Sequence, residues 1–372
     1  MLRHRPHTAP KKKPAAKAPK PKQLASITIT GNSEGTIGAA IASVAPWVDR
    51  IVIVDTGITD GTLKAVRAAA QGKPVTIRKH AWNDNFSDAR NAALAAAAGT
   101  RADWAVLVDS DETIDLRGED VRRLIETVTV RHLSIAHESG TYYQPRFFAL
   151  PAAGKFEGPT HEAYPAEQNG GSLKLARAVF CDKPKTPEQF KAKCERDERI
   201  LQAHTAANPY VARWWYYLGD TLASLGRTRE AIDAFERRAE LQGWDEEGAW
   251  ACYRAAMLWT GMGQHERALR LAVQGLGIHA GIAELAWVAA LCCYRLNRDA
   301  HACTWANHSL ALGCYQGLGD GERIGFRAYP GLYENPLDVL RYALKRMGKD
   351  EQAAFVEESY AKAKAERAAK GR

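Results

Sequence analysis

The chain has 372 residues, 46% hydrophobic and 25% charged, an ordinary globular composition that excludes a mainly disordered, collagen-like or disulfide-scaffold protein. At about 100–200 residues per domain, two domains are expected. The net charge of +8 belongs to Met1–Gln23, where Arg3, Arg5, Lys11, Lys12, Lys13, Lys17, Lys20 and Lys22 face no acid, and the body that follows is neutral.

Residues 1–23 are rich in Pro, Ala and Lys and have little apolar surface to bury, so a disordered basic tail is expected there. It reads as a solvated leader or as a loose attractor of nucleic acid or an anionic surface. No apolar segment follows its charges, so a secretory signal is not expected. No run of 18 apolar residues occurs anywhere, so no spanning helix is expected either. The seven cysteines form no C-x-x-C and mostly fall in helical patterns. That fits small core residues in a reducing cytoplasm.

Residues 24–183 alternate β-rich runs with helical patterns. Leu24–Thr30 reads as a strand, Thr36–Val44 as a helix and Arg50–Asp55 as a strand buried on both faces. A helix to about Ala70, a strand over Pro74–Arg78, an Ala-rich helix N-capped by Ser87, and a strand over Trp104–Val108 follow. This βαβ rhythm predicts an α/β domain with a doubly wound, mostly parallel sheet. His132–Ala136, Tyr142–Leu150 and Ser172–Val179 read as strands of an antiparallel edge or subsheet. Residues 184–360 change to amphipathic helices, so the second domain is all-α. Leu225-Gly-Arg-Thr-Arg-Glu-Ala231 is echoed by Met262–Ala268, Leu296–Ala302 and Met347–Ala353, with alanines 37, 34 and 51 residues apart. Such periods predict stacked helical hairpins. The aromatic cluster Trp214–Tyr217 reads as hairpin core rather than a sugar platform. Residues 361–372 read as a charged tail that frays.

In open α/β sheets, ligands bind beyond the carboxyl ends of the strands. Thr30–Glu34, Asp55–Asp60 and Asp109–Asp111 fall there. Asp109 and Asp111 project the same way from extended backbone, and two such carboxylates suit a hard divalent cation, Mn2+ or Mg2+. No Walker lysine or G-x-G-x-x-G motif is present at the first turn, so P-loop and dinucleotide readings lose support.

Four segments in order carry a resemblance: Val48–Thr62, Trp82–Leu94 with Arg90-Asn91, Asp103–Glu112 with Asp109-Ser-Asp111, and Arg146-Phe-Phe148 followed by Phe156–Glu162. Together they resemble family 2 glycosyltransferases. The helical half, led by Trp215, Leu218, Gly219, Ala231 and Phe235, resembles the tetratricopeptide extension of some members. The resemblance implies a GT-A fold and a nucleotide-sugar donor, most simply a UDP-sugar. It implies Asp55 and Thr30 at the nucleobase, Arg90 at the donor phosphates or the Asp-x-Asp loop, Asp109 at ribose and metal, and Asp111 on the metal. His161 would be a further metal ligand. Glu162 would be the general base of an inverting transfer. The acceptor would be a glycan, a protein or a lipid-linked saccharide. A modified nucleic acid is suggested only by the basic tail. Plainer roles are an Asx turn for Asp55, a structural ion pair for Arg90, a loop histidine for His161 and a solvated carboxylate for Glu162. Asp60, Asp84, Asp88 and Glu112 read as turn and cap residues. One departure stands out: Thr30-Gly-Asn-Ser-Glu34 lacks the lysine usual in the family's opening loop. It leaves a second reading, in which a degenerate sheet domain serves a peptide-binding helical module.

Overall fold

In a computed structural model of the chain, residues 20–140, 142–316, 325–328 and 334–369 are described, so most of the tail expected over 1–23 lies outside them. Two of its last residues are anchored: the Lys22 and Gln23 backbone N–H groups donate to Glu126 and Asp103 at 2.6 and 2.7 Å. The chain divides into two units. One runs to Glu157 and includes Glu162–Pro184, and the other comprises Gly158–His161 and the chain from Lys185 onward.

The first unit contains β1 (Leu24–Thr30), α1 (Ile37–Val44), β2 (Arg50–Asp55), α2 (Thr62–Ala69), β3 (Val75–Lys79), α3 (Phe86–Gly99), β4 (Trp104–Leu107), β5 (Glu112–Asp115), α4 (Val121–Thr127), β6 (His132–His137), β7 (Tyr143–Ala149) and β8 (Ser172–Asp182). They form one eight-stranded sheet in the order β3-β2-β1-β4-β7-β6-β8-β5. Every residue of β1 is buried, which requires cover on both faces. Ile37, Ile41 and Val44 of α1 and Val66 of α2 cover one face, while Ala89, Ala93, Leu94 and Ala97 of α3 cover the other. β1 to β4 are parallel, with β4 added on the side of β1 away from β2. Chain growth therefore reverses between β1 and β4, the place where such sheets open a crevice.

Three details differ from the sequence reading. The N-cap of α3 is Asn85, in extended backbone and accepting from Asp88 N; the Ser87 hydroxyl donates to Asn85 instead. β6, β7 and β8 belong to the same continuous sheet, and β6 pairs with β8 in parallel. β5 takes Glu112 out of the expected loop and sets it opposite Asp182 of β8. Four residues are too few to show a period, and their partner strand lies far along the chain.

The second unit contains α5 (Pro187–Ala207), α6 (Ala212–Ser224), α7 (Thr228–Glu240), α8 (Asp245–Gly261), α9 (His265–Ile278), α10 (Ala283–Arg295), α11 (Asp299–Gln316), α12 (Glu334–Arg346) and α13 (Asp350–Ala369). From α6 onward, each helix packs on the next. The repeat has a physical cause at each end. Ala231, Ala268, Ala302 and Ala353 are buried where helices press together. Gly226, Gly263, Asn297 and Gly348 take positive φ at the turns. The N–H that follows each closes a Schellman turn, as from Arg227 to Leu222 O at 2.9 Å. Gly219 is needed for close approach, since a Cβ there would lie 2.7 Å from the Phe235 ring. Tyr216 is buried, and Trp214, Trp215 and Tyr217 pack on the same core. The helix α13 continues through Ala361 to Ala369, where a frayed tail was expected.

Cys194, Cys252, Cys292 and Cys293 are buried and Cys181 and Cys303 half-buried, all as unpaired thiols. Burial pushes Cys252 up to about 12 and Cys292 up to about 11, so neither is a thiolate at neutral pH. Among the described residues, no helix is long and apolar enough to cross a membrane.

Candidate functional site

The carboxyl ends of β1 and β2 set Thr30 and Asp55 side by side in parallel register. Asp55 Oδ1 accepts from the N–H groups of Gly57 (2.9 Å) and Ile58 (2.7 Å), an Asx turn of its own. The buried Thr30 hydroxyl bonds the Ser33 hydroxyl at 2.6 Å. The Thr30–Glu34 loop is held by its own polar residues. Asn32 Oδ1 accepts from Thr59 N at 2.7 Å, Glu34 N donates to Asp60 Oδ2 at 3.2 Å, and Glu34 Oε2 accepts from Gly61 N at 3.2 Å. The loops after β1 and β2 are thereby stitched together.

Across the reversal point, Asp109 follows β4. Arg90, on α3, donates from Nη1 and Nη2 to its two carboxylate oxygens at 2.7 and 2.9 Å. The same guanidinium donates from Nε to Glu162. Asn91 fixes the helix register here: its side chain donates to Phe156 O at 3.0 Å and accepts from Phe156 N at 2.8 Å. Arg146 of β7, over the Phe180 ring, lies 3.7 Å from Asp109 and donates to Glu112 at 2.7 Å. Three carboxylates and two guanidinium groups thus form one mostly buried chain with a formal surplus of one negative charge.

Electrostatics within the chain are uneven. Burial opposes ionisation of Asp109, but Arg90 and then Arg146 outweigh it and hold the carboxyl well below its usual range. Glu112 moves the other way: burial first, then the Asp109 charge, push it up to about 7 against the pull of Arg146. The Arg146 charge is shared with Asp109, so it offsets only part of the cost of burying Glu112.

Of the expected residues, the sheet unit brings together Arg90, Asp109 and Glu162 in direct contact, and Thr30 with Asp55 on the adjacent strand ends. Asp111 is half-buried and lines a cleft of about 160 Å3 with Thr36, Asp182 and Lys183. His161 falls in the helical unit, at positive φ. Its ring stacks on Tyr217 at 4.1 Å, and Nε2 is 4.0 Å from the buried Asp197. Among the described residues, no group of three His, Cys, Asp or Glu side chains converges as a metal site. Arg90 takes one lone pair on each Asp109 oxygen and so offsets the charge that Asp109 presents to a cation. A hard cation carried by substrate phosphates needs only one or two protein carboxylates, and Asp111 lines the cleft beside this strand end.

From the sequence, Glu112 reads only as a turn and cap residue and Arg146 only as part of the Arg146-Phe-Phe148 segment, with no site role for either. Arg146 had a usable signal, a charged residue immediately before the buried pair Phe147-Phe148. Glu112 closes the Asp103–Glu112 segment, but its burial comes from β8 and has no local signal.

Residues 26–147 match the family model described as Glycosyl transferase family 2. The match contains Thr30, Asp55, Arg90, Asp109, Asp111, Glu112 and Arg146, and stops before His161 and Glu162. A curated relative, the TPR repeat-containing protein Synpcc7942_0270 of Synechococcus elongatus (strain ATCC 33912 / PCC 7942 / FACHB-805), is 35% identical over 94 residues, 25% of this chain and 22% of the relative. The chain therefore spans about a fifth of the length of the curated relative it matches. Among solved structures, MamA 41-end from Desulfovibrio magneticus RS-1 is 14% identical with a TM-score of 0.37, over 48% of this chain and 94% of that one. YrrB, described as a TPR protein with an unusual peptide-binding site, is 11% identical with a TM-score of 0.36, over 46% and 78%.

Proposed function

We propose that the family 2 segment binds a nucleotide-sugar at the carboxyl edge of its sheet and transfers the sugar, with inversion, to a hydroxyl acceptor. The observation that carries this reading is the meeting of Arg90, Asp109 and Glu162 at the reversal point, one strand from the paired Thr30 and Asp55. Asp55, with Oδ1 held by its own turn, presents Oδ2 to the N–H edge of a base, most simply uracil. Thr30 lines the same wall. Arg90 positions the Asp109 carboxylate towards the ribose and fixes Glu162 beside it. Glu162 receives the proton of the acceptor hydroxyl as that oxygen bonds to the anomeric carbon and the bond to the leaving diphosphate breaks. Asp111 would hold a divalent cation, Mn2+ or Mg2+, which supplies charge neutralisation of the diphosphate. His161 is not needed in that set.

A thermal-shift panel of UDP-, GDP- and dTDP-sugars with and without Mn2+ tests this. Stabilisation by one nucleotide class, strengthened by Mn2+ and reduced in Asp111→Ala, is expected. If no nucleotide sugar shifts the transition, and none is hydrolysed or transferred, the enzymatic reading fails. The degenerate-domain reading then stands.

A further inference from the structure

β7 adjoins β4 on the far side of the reversal point, and it is irregular at one residue. Leu133 of β6 stands opposite Phe147 and Ser134 opposite Pro145, so Arg146 is an extra residue in β7, a β-bulge. Strict alternation would put Arg146 on the face of Phe148, under α3. Its guanidinium instead lies 4.2 Å from the centre of the Phe180 ring, which belongs with Phe147 to the opposite face, under α1. The bulge has turned it. Arg146 is 3% exposed, and its Nε–H is buried with no hydrogen-bond partner among the described residues. An unmet donor in the interior costs stability, so packing does not account for this side chain.

What the turned guanidinium reaches is the loop after β4. Nη2 donates to Glu112 Oε1 at 2.7 Å, and Nη1 lies 3.7 Å from Asp109 Oδ2. Glu112 passes the hold on to the main chain. Its Oε2 accepts from Asp109 N at 3.2 Å, and its own N–H donates to Asp109 O at 3.1 Å. The loop is tied once more where Lys183 N donates to Asp111 O at 2.8 Å. The Asp109 carboxylate is thus reached by two guanidinium groups, and its main chain by Glu112. The two arginines divide the work: Arg90 ties Asp109 to Glu162, and Arg146 ties it to its own loop.

We propose that Arg146, presented by the β7 bulge and acting through Glu112, is a positioning residue that holds Asp109 against the ribose of the donor and so sets a preference for a ribonucleotide. The proposal rests on the sugar-transfer reading. Groups that orient a binding carboxylate typically matter about 10–100-fold for the ligand it binds. Lysine at this position keeps the charge but cannot serve two carboxylates at once. Glutamine at Glu112 offers one acceptor atom where two donors, Arg146 Nη2 and Asp109 N, call for two.

The test titrates the full chain, with Mn2+ present, against UDP and its 2′-deoxy and 3′-deoxy forms by calorimetry. The unaltered chain should bind UDP about ten-fold or more tightly than at least one deoxy form, the worth of a hydrogen bond to a charged group. Arg146→Lys should weaken UDP about ten-fold and leave that deoxy form nearly unchanged, which closes the gap. Glu112→Gln should close the same gap, and the double variant should be little worse than either single one, because both act through one brace. Should Arg146→Lys melt near room temperature, Glu112→Gln, which keeps the size of its side chain, carries the test. Variants that keep the gap, or that weaken all three ligands alike as a general loosening would, overturn the proposal and leave the sugar-transfer reading standing. An unaltered chain that binds UDP and both deoxy forms equally does the same. An unaltered chain that does not bind UDP removes the uridine donor, and the proposal with it.

Discussion

Each unit buries a cluster of charges, and the two clusters differ in closure. In the helical unit, Arg238 and Glu247 are 1% and 3% exposed in their side chains and meet at 2.8 Å. The remaining donors of Arg238 go to the carbonyl groups of Leu241 and Trp244 at 3.2 and 2.7 Å. Partners nine residues apart join α7 to α8, and the second Glu247 oxygen accepts from Arg213 Nη1 of α6 at 3.3 Å, so these three side chains carry a formal surplus of one positive charge. In the sheet unit, five charged residues come from four distant stretches of chain, carry a surplus negative charge, and leave Asp109 23% exposed at the carboxyl edge. This trio fastens three neighbouring helices. An open, unbalanced chain at the mouth of a sheet still has capacity for a charged ligand. Neither burial nor charge balance therefore distinguishes structural charges from functional ones; position does.

The comparison breaks most directly at Arg238. Arg238→Ala leaves the buried Glu247 with only the more exposed Arg213 as a partner, and should cost about 2–4 kcal/mol of stability by denaturant unfolding while leaving nucleotide-sugar binding intact. If it costs less than about 1 kcal/mol, the helical cluster is not the fastening described.

Arg90→Lys sharpens the other side. Lysine keeps the charge but cannot span both Asp109 oxygens while also holding Glu162. Sugar transfer or donor hydrolysis should fall about 100-fold with little change in melting temperature, since positioning is lost rather than packing. An unchanged rate would make Arg90 the plain ion pair that the sequence also allowed.

The smallest effect is the pH response of Glu112. Its carboxyl is raised in the folded state to about 7, so the folded protein binds that proton more tightly than the unfolded chain does. The associated stability is present below the ordinary Glu range and is lost as pH rises through about 7. Asp109, shifted downward, works in the opposite sense and only in acid, below its ordinary value. Between pH 5 and 7.5 the unaltered chain should lose on the order of 1–3 kcal/mol relative to Glu112→Gln. Parallel stability curves for the two proteins would remove Glu112 from the coupled chain.

Much of this was legible in local sequence. The buried runs of β1 and β2, the alanines of the helix crossings and the glycines of the turns each carry their own signal, because burial and positive φ constrain residue type directly. The pairing of Arg90 with Asp109 was one of two readings left open. The N-cap at Asn85 was misplaced by two residues, because Asn and Ser are both good caps and only the backbone angle chooses between them.

By itself, the sequence determined the order of the elements, the change from sheet to helical hairpins, and which acids stand at strand ends, since periodicity and turn chemistry are local. Tertiary structure alone decided that β5 joins β8, that Glu112 is buried beside Arg146, and that Arg90 bridges Asp109 and Glu162. It also put His161 against Tyr217 and the Arg146 guanidinium over Phe180. These are encounters between distant parts of the chain. They depend on which strand lies next to which and on which helix faces meet, and no spacing along the sequence records either.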